Sequence, residues 1–198
     1  MISRLDIADL TLDRGGRRLF GGLSLSLETG QACALTGANG SGKTSLLRAV
    51  AGLIAPTAGR ITFGATEPSQ SRELDLHLLG HLEGLKSGRT GREELDFWTR
   101  WLGGDTTALA VERLGLRPFL DLEVRRLSAG QRRRLALARL ISAPRPIWLL
   151  DEPLSPLDSD WRHRFGEIMA DHLQTGGIIL AAVHDPLPIA TVTVEISG

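Results

Sequence analysis

Gly37-Ala38-Asn39-Gly40-Ser41-Gly42-Lys43-Thr44 is the stretch on which the reading of this chain turns. It fits G-x-x-x-x-G-K-[ST], the pattern of a phosphate-binding loop. It also lies where that chemistry needs it, between an apolar strand at Ala32 to Leu35 and a helical run at Ser45 to Ala51. Glycines let the backbone curl until successive N–H groups converge on one point, and the helix that follows adds the positive end of its dipole. Lys43 is then placed to reach the outer phosphates, and Thr44 to hold Mg²⁺. The chain has only two lysines, Lys43 and Lys86, so the one position that demands lysine has it. Binding of a nucleoside triphosphate is the expectation that follows.

The bulk composition narrows the class. A chain of 198 residues with 42% hydrophobic content can build a real core as one domain, 1–198. The 23 basic and 23 acidic residues cancel, so no global field draws the chain to nucleic acid, and no nucleic-acid partner is expected. A single cysteine, Cys33, excludes an internal disulfide. Charges interrupt the apolar positions of Met1 to Leu10, which is not the pattern of a signal peptide.

Upstream of the loop, Leu5 and Ile7 alternate with polar residues, and Leu10 and Leu12 resume the alternation after a shift. Gly15-Gly16 turns the chain into a second period-two strand at Leu23 to Leu27, giving an antiparallel hairpin. Downstream, Arg60 to Gly64 reads as a short strand, Ala65 to Arg72 as polar and turn-like, and Leu74 to Leu79 as a buried strand. From Thr90 the period becomes helical, with Leu95, Trp98, Trp101 and Leu102 on one helix, and Leu109, Val111, Leu114 and Leu116 on the next. A helical insert of about 85–143 therefore interrupts an α/β fold. Phe97, Trp98 and Trp101 are expected to form the small core of that insert rather than to face a partner. Ile147 to Leu150 and Ile178 to Val183 are continuous apolar runs, the mark of strands buried on both faces of a parallel sheet.

Chemistry-bearing residues stand at the ends of those runs. Asp151 closes the first, where a carboxylate can orient Mg²⁺ and its water, and Glu152 beside it is the candidate general base. Leu127-Ser128-Ala129-Gly130-Gln131 opens a helix with a capping serine and an adjacent glycine, a second anion site in the same chain.

These motifs together resemble those of the ATP-binding-cassette (ABC) ATPases, whose L-S-G-G-Q motif is similar to Leu127 to Gln131 with Ala129 in place of one glycine. The resemblance spans nearly the whole chain. It implies a P-loop NTPase fold of ABC type: a mostly parallel core sheet, an N-terminal antiparallel β subdomain and an inserted α-helical subdomain. Ser155-Pro156-Leu157-Asp158 is similar to the family's D-loop, which brings Asp158 to the nucleotide, and His184 to its switch histidine at the γ-phosphate. Within the class, Gly80-His81-Leu82-Glu83-Gly84-Leu85-Lys86 and Val183-His184-Asp185-Pro186-Leu187 look most like the haem-exporter ATPases of the cytochrome c maturation (Ccm) system. The resemblance implies ATP and Mg²⁺ as cofactors, with ATP touching Gly37 to Thr44 and Ser45 and hydrolysed through Glu152 and His184. It further implies a head-to-tail homodimer in which Ser128, Ala129, Gly130 and Gln131 of one chain cover the nucleotide of the other. The partners would be integral membrane subunits, reached from the cytoplasmic side of the inner membrane. Other ABC transporter cassettes, and soluble ABC ATPases acting on nucleic acid or ribosomes, are the alternatives. Two positions depart from the family. Arg14 stands near the usual adenine-stacking aromatic, where its guanidinium plane can take that role. Leu82 stands where a glutamine oxygen normally meets the metal, leaving Glu83 or a water as the substitute.

Overall fold

The computed structural model describes residues 2–197. Internal packing divides them into two compact units. One comprises the residues up to Gly80, Arg145–Pro153 and those from Met169 on; the other comprises His81–Pro144 and Leu154–Ile168.

The first unit holds two sheets. Strands β1 (Arg4–Arg14) and β2 (Arg17–Glu28) form an antiparallel hairpin, and β4 (Ala58–Thr62) pairs with the far edge of β1. The shift in the β1 alternation is a bulge: Ile7 opposes Leu25 and Leu10 opposes Leu23, with Asp9 between them at φ 49° and Ser24 Oγ accepting its N–H at 3.0 Å. One extra residue reverses the side-chain parity of the strand, which is why Leu5 and Ile7, then Leu10 and Leu12, all reach the core. The second sheet is wholly parallel, in the order β5-β6-β7-β3-β8, with β3 at Ala32–Thr36, β5 at Leu76–Leu79, β6 at Ile147–Asp151, β7 at Ile178–Ala182 and β8 at Val192–Glu195. Every residue of β6 and β7 is buried, as their unbroken apolar runs require. Helix α1 (Lys43–Val50) follows β3.

One segment of this unit departs from expectation. Residues 65–72 are not turn-like throughout, because Pro68–Leu74 forms helix α2. Its polar composition hides a start signal: the Glu67 carboxylate accepts from the N–H groups of Ser69 and Gln70, and Pro68 occupies the first turn, where a missing N–H costs nothing. Leu74 consequently ends a helix and is exposed, and the strand starts at Leu76.

The second unit is helical. Helix α3 (Gly91–Trp101) opens on a capping box of Thr90 and Glu93, α4 (Thr107–Arg113) follows the Gly103-Gly104 link, and α5 (Ala129–Ser142) opens on a second capping box of Ser128 and Gln131. Helix α6 (Ser159–Gln174) begins here and ends among first-unit residues. The core of the helical unit is aliphatic, built on Leu95, Leu114, Leu116, Leu135 and Leu137 with Phe119. Phe97 and Trp101 do not belong to it: they are 41% and 74% exposed. The buried stripe of α3 runs through Gly91, Glu94, Leu95 and Thr99, which turns positions 97 and 101 outward. Among the described residues no helix is long and apolar enough to cross a membrane.

Candidate functional site

The first unit gathers its predicted residues at the carboxyl ends of parallel strands, where open α/β sheets place their ligands. Strand β3 delivers the loop 37–44. Gly42 adopts φ 110°, and a Cβ there would lie 2.9 Å from the Phe20 ring, so the position admits no side chain. Lys43 Nζ donates to the carbonyls of Gly37 (2.7 Å) and Ala38 (3.0 Å), which folds the loop around its own cation. The first turn of α1 carries no acidic residue of its own to offset the positive end of the helix. Ser41, Lys43 and Ser45 are buried, and Ser41 Oγ has no hydrogen-bond partner.

Asp151 ends β6 and meets α1 across the sheet. Thr44 Oγ1 lies 3.1 Å from Asp151 Oδ1 and 3.0 Å from Oδ2, although the two residues are far apart in sequence. The hydroxyl thus sits astride both carboxylate oxygens, which brings three oxygens to one point. Hard oxygens converging at that spacing suit a divalent cation such as Mg²⁺, which keeps waters and phosphate oxygens as its remaining ligands. Among the described residues no group of three or more His, Cys, Asp or Glu could cage a metal unaided.

Glu152 adopts φ 48°, a left-handed backbone that a non-glycine residue holds only when its surroundings impose it. Its N–H is tied to the Ala182 carbonyl at the end of β7 (2.9 Å), and its Oε1 lies 3.0 Å from Nε2 of His184, two residues beyond that strand. Glu152 shares its cleft with the phosphate-loop residues. Lys43, Thr44, Asp151, Glu152 and His184 thus line one cleft of about 240 Å³. Arg14, Asn39, Gly40, Gly42 and Ser45 line it too, together with Leu19, which no local pattern in the sequence marks.

The remaining predicted residues belong to the helical unit. Ser128 Oγ accepts the Gln131 N–H (3.2 Å) and Gln131 Oε1 accepts the Ser128 N–H (2.8 Å), a reciprocal cap that leaves the exposed Ala129 and the half-buried Gly130 at the helix tip. Asp158 Oδ1 accepts the Trp161 N–H at 2.9 Å, so its carboxylate starts α6. Leu82 is 83% exposed, and the main-chain carbonyl of Glu83 accepts from Arg139 Nη2.

Comparison with known proteins agrees with this geometry. The family model described as ABC transporter matches residues 20–155. A "Cytochrome c biogenesis ATP-binding export protein CcmA" of Rhodopseudomonas palustris (strain BisB5) is 52% identical, covering 89% of this chain and 90% of that protein, and one of Nitrobacter winogradskyi is 47% identical over 98% of both. A solved structure, "Putative ABC transporter (ATP-binding protein)" from Pyrococcus furiosus, shares the fold at a TM-score of 0.85, covering 98% of each chain at 21% identity. With its phosphate loop, carboxylate pair and histidine assembled on this sheet, the chain belongs to the ABC transporter family and, within it, groups with the CcmA proteins.

Proposed function

We propose that this chain is the ATP-hydrolysing subunit of a membrane export complex serving cytochrome c biogenesis, in which haem is the group handled. The observation that carries the reading is the convergence of Thr44 and Asp151 within 3.1 Å, beside Lys43 and the Glu152–His184 pair, in a single cleft. Lys43 and the loop amides bind the outer phosphates; Thr44 and Asp151 would hold Mg²⁺, which supplies charge neutralisation at the phosphates when bound. Glu152 takes a proton from the attacking water, and His184 orients that carboxylate and reaches toward the terminal phosphate. Arg14 flanks the base with its guanidinium plane.

Two chains would pair head to tail, each closing its partner's site with Ser128 to Gln131 and Asp158. Membrane-embedded subunits bind on the cytoplasmic face of the inner membrane, and the exposed Phe97 and Trp101 on α3 offer them an aromatic surface. The 52% identity to an ATP-binding export protein over most of both chains favours this over the soluble ABC readings. The test is purification of the chain from detergent-solubilised membranes. ATP hydrolysis in a complex with integral membrane subunits is expected; hydrolysis that never depends on Lys43, or a chain that purifies only with ribosomes or nucleic acid, overturns the reading. The pairing is tested by mixing a Lys43→Ala chain with a Ser128→Arg chain, which should regain at most one working site per heterodimer.

A further inference from the structure

In the helical unit, buried charge is only partly met. Glu94 is 1% exposed; its Oε1 has a long contact with Arg89 (3.4 Å), while its Oε2 has no hydrogen-bond partner. One turn later on α3, Trp98 Nε1 is also buried and unpartnered. Arg139, in the last turn of α5, lies over the Trp98 ring, with its guanidinium carbon 3.8 Å from the centroid. Its Nη2 donates to the Glu83 carbonyl, and its Nε is a third buried atom without a partner. A carboxylate oxygen and two N–H donors therefore lie idle around one guanidinium, and burying a polar group unmet is costly.

We infer that Arg139 is a positioning residue with two stations: here it clamps the loop at Glu83 to helices α3 and α5, and by turning to Glu94 it releases that loop. The exchange trades the bond to a neutral carbonyl for an ion pair that would satisfy Glu94 Oε2. Glu94 already acts on Arg139 through its charge, as does Glu83, while Arg133 repels it, and burial lowers the Arg139 pKa to about 10. An arginine is required, because only a planar guanidinium can stack on an indole and donate sideways in the same pose.

The clamp also has an outward handle. Trp98 packs edge-on against Phe97 (5.3 Å, 80°), Phe97 stacks on the exposed Trp101 (6.3 Å, 14°), and Arg89, the Glu94 contact, caps Phe97 at 4.8 Å. Pressure on this surface bears directly on the ring that carries Arg139 and on the cation that holds Glu94. The inference rests on the nucleotide-hydrolysing reading for its consequence in turnover, but not for the clamp itself.

The test uses the full chain and two readouts, hydrogen exchange of the 81–86 amides and steady-state ATP hydrolysis. Arg139→Lys keeps the charge but loses the stack and the fork; exchange in 81–86 should quicken about tenfold and kcat should fall by a similar factor, with KM unchanged. Glu94→Gln removes the competing station and a buried charge, so the loop should exchange more slowly than in the wild type. Opposite movements of the loop in the two variants support the clamp. Unchanged 81–86 exchange in Glu94→Gln, or a uniform rise across all of α3 to α5 in Arg139→Lys, shows a merely structural arginine and overturns it. A wild-type chain that hydrolyses no ATP would count against the proposed function alone, since the exchange readout still decides on the clamp.

Discussion

The phosphate-loop unit and the helical unit both bury charged side chains, and they treat them in opposite ways. Lys43 ends on two carbonyls of its own loop, and Asp151 has Thr44 within reach of both carboxylate oxygens. In the helical unit, Glu94 keeps an idle oxygen and Arg139 an idle nitrogen. A preorganised electrostatic site should be rigid before its ligand arrives, because donors already in place need no reorganisation when phosphate binds. An element that must report on a partner needs a second arrangement within reach. The contrast teaches that one half of the chain is built to hold and the other to shift.

The strongest way to break that contrast is to empty the holding half. Lys43→Ala removes the cation and both of its carbonyl bonds, so ATP affinity should fall about 100-fold, the scale of losing charge-assisted hydrogen bonds at a phosphate. Equilibrium binding of labelled ATP measures it; near-wild-type affinity would sink the reading of residues 37–44. Glu152→Gln preserves shape and the contact region of His184 but removes the base. Binding should persist while kcat drops about 100-fold, and undiminished turnover would move the base elsewhere, with His184 the next group in the cleft.

How much of this was legible follows the same divide. The loop 37–44, Asp151, Glu152 and His184 could be found because each is a short pattern at the end of a strand whose apolar run announces it. Even the bulge in β1 shows in the sequence, as a slip of parity between Ile7 and Leu10. Helix α2 was hidden because its start depends on the Glu67 side chain rather than on apolar periodicity. The aromatic cluster of α3 misled because hydrophobicity predicts burial only on average, and the face is set by which stripe α5 covers. Arg139, Glu94 and Leu19 carry no local signal at all: their roles come from partners distant in sequence or from an arginine among many arginines.

The holding half also buries a titratable ring, which a pH titration can expose. His172 stacks on Trp148 (3.8 Å, 8°), its Nε2 has no hydrogen-bond partner, and a Cβ on Gly177 would run into the imidazole. Burial drives its pKa down to about 4, with backbone groups of Ile178 and Pro146 pulling weakly the other way. The folded state thus holds His172 neutral where the unfolded chain, at about 6.5, would protonate it. Its stabilising contribution is complete above pH 6.5 and is lost as pH falls from there toward 4, by about 2 kcal/mol after allowance for partial exposure of the ring. His172→Phe keeps the stack without the titration. Urea melts between pH 7 and 4.5 should show a shallower decline for the variant, and equal slopes would assign the acid sensitivity to other groups.

The smallest effect is the most discriminating, because it asks whether the loop at Leu82 belongs to the holding half or the shifting one. Leu82 is 83% exposed, so Leu82→Gln disturbs no packing and supplies the oxygen that the family usually brings to the metal. If that loop reaches Mg²⁺, the new ligand should tighten metal-dependent ATP binding by up to about 1–2 kcal/mol, the scale of one hydrogen bond to a charged group. Glu83→Ala is the partner experiment: Arg139 is bonded to the main-chain carbonyl of Glu83, which alanine retains. Removing the carboxylate therefore keeps the hydrogen bond of the clamp while taking away the Glu83 charge that acts on Arg139, so 81–86 hydrogen exchange in this variant separates a loosened clamp from lost metal contact. A weakened Mg²⁺ dependence in Glu83→Ala with no gain in Leu82→Gln would assign the oxygen to Glu83. A gain in Leu82→Gln alone would mean that a water serves at this position in the natural chain. An Mg²⁺ requirement unchanged in both would show that the loop never touches the metal and acts on turnover only through Arg139.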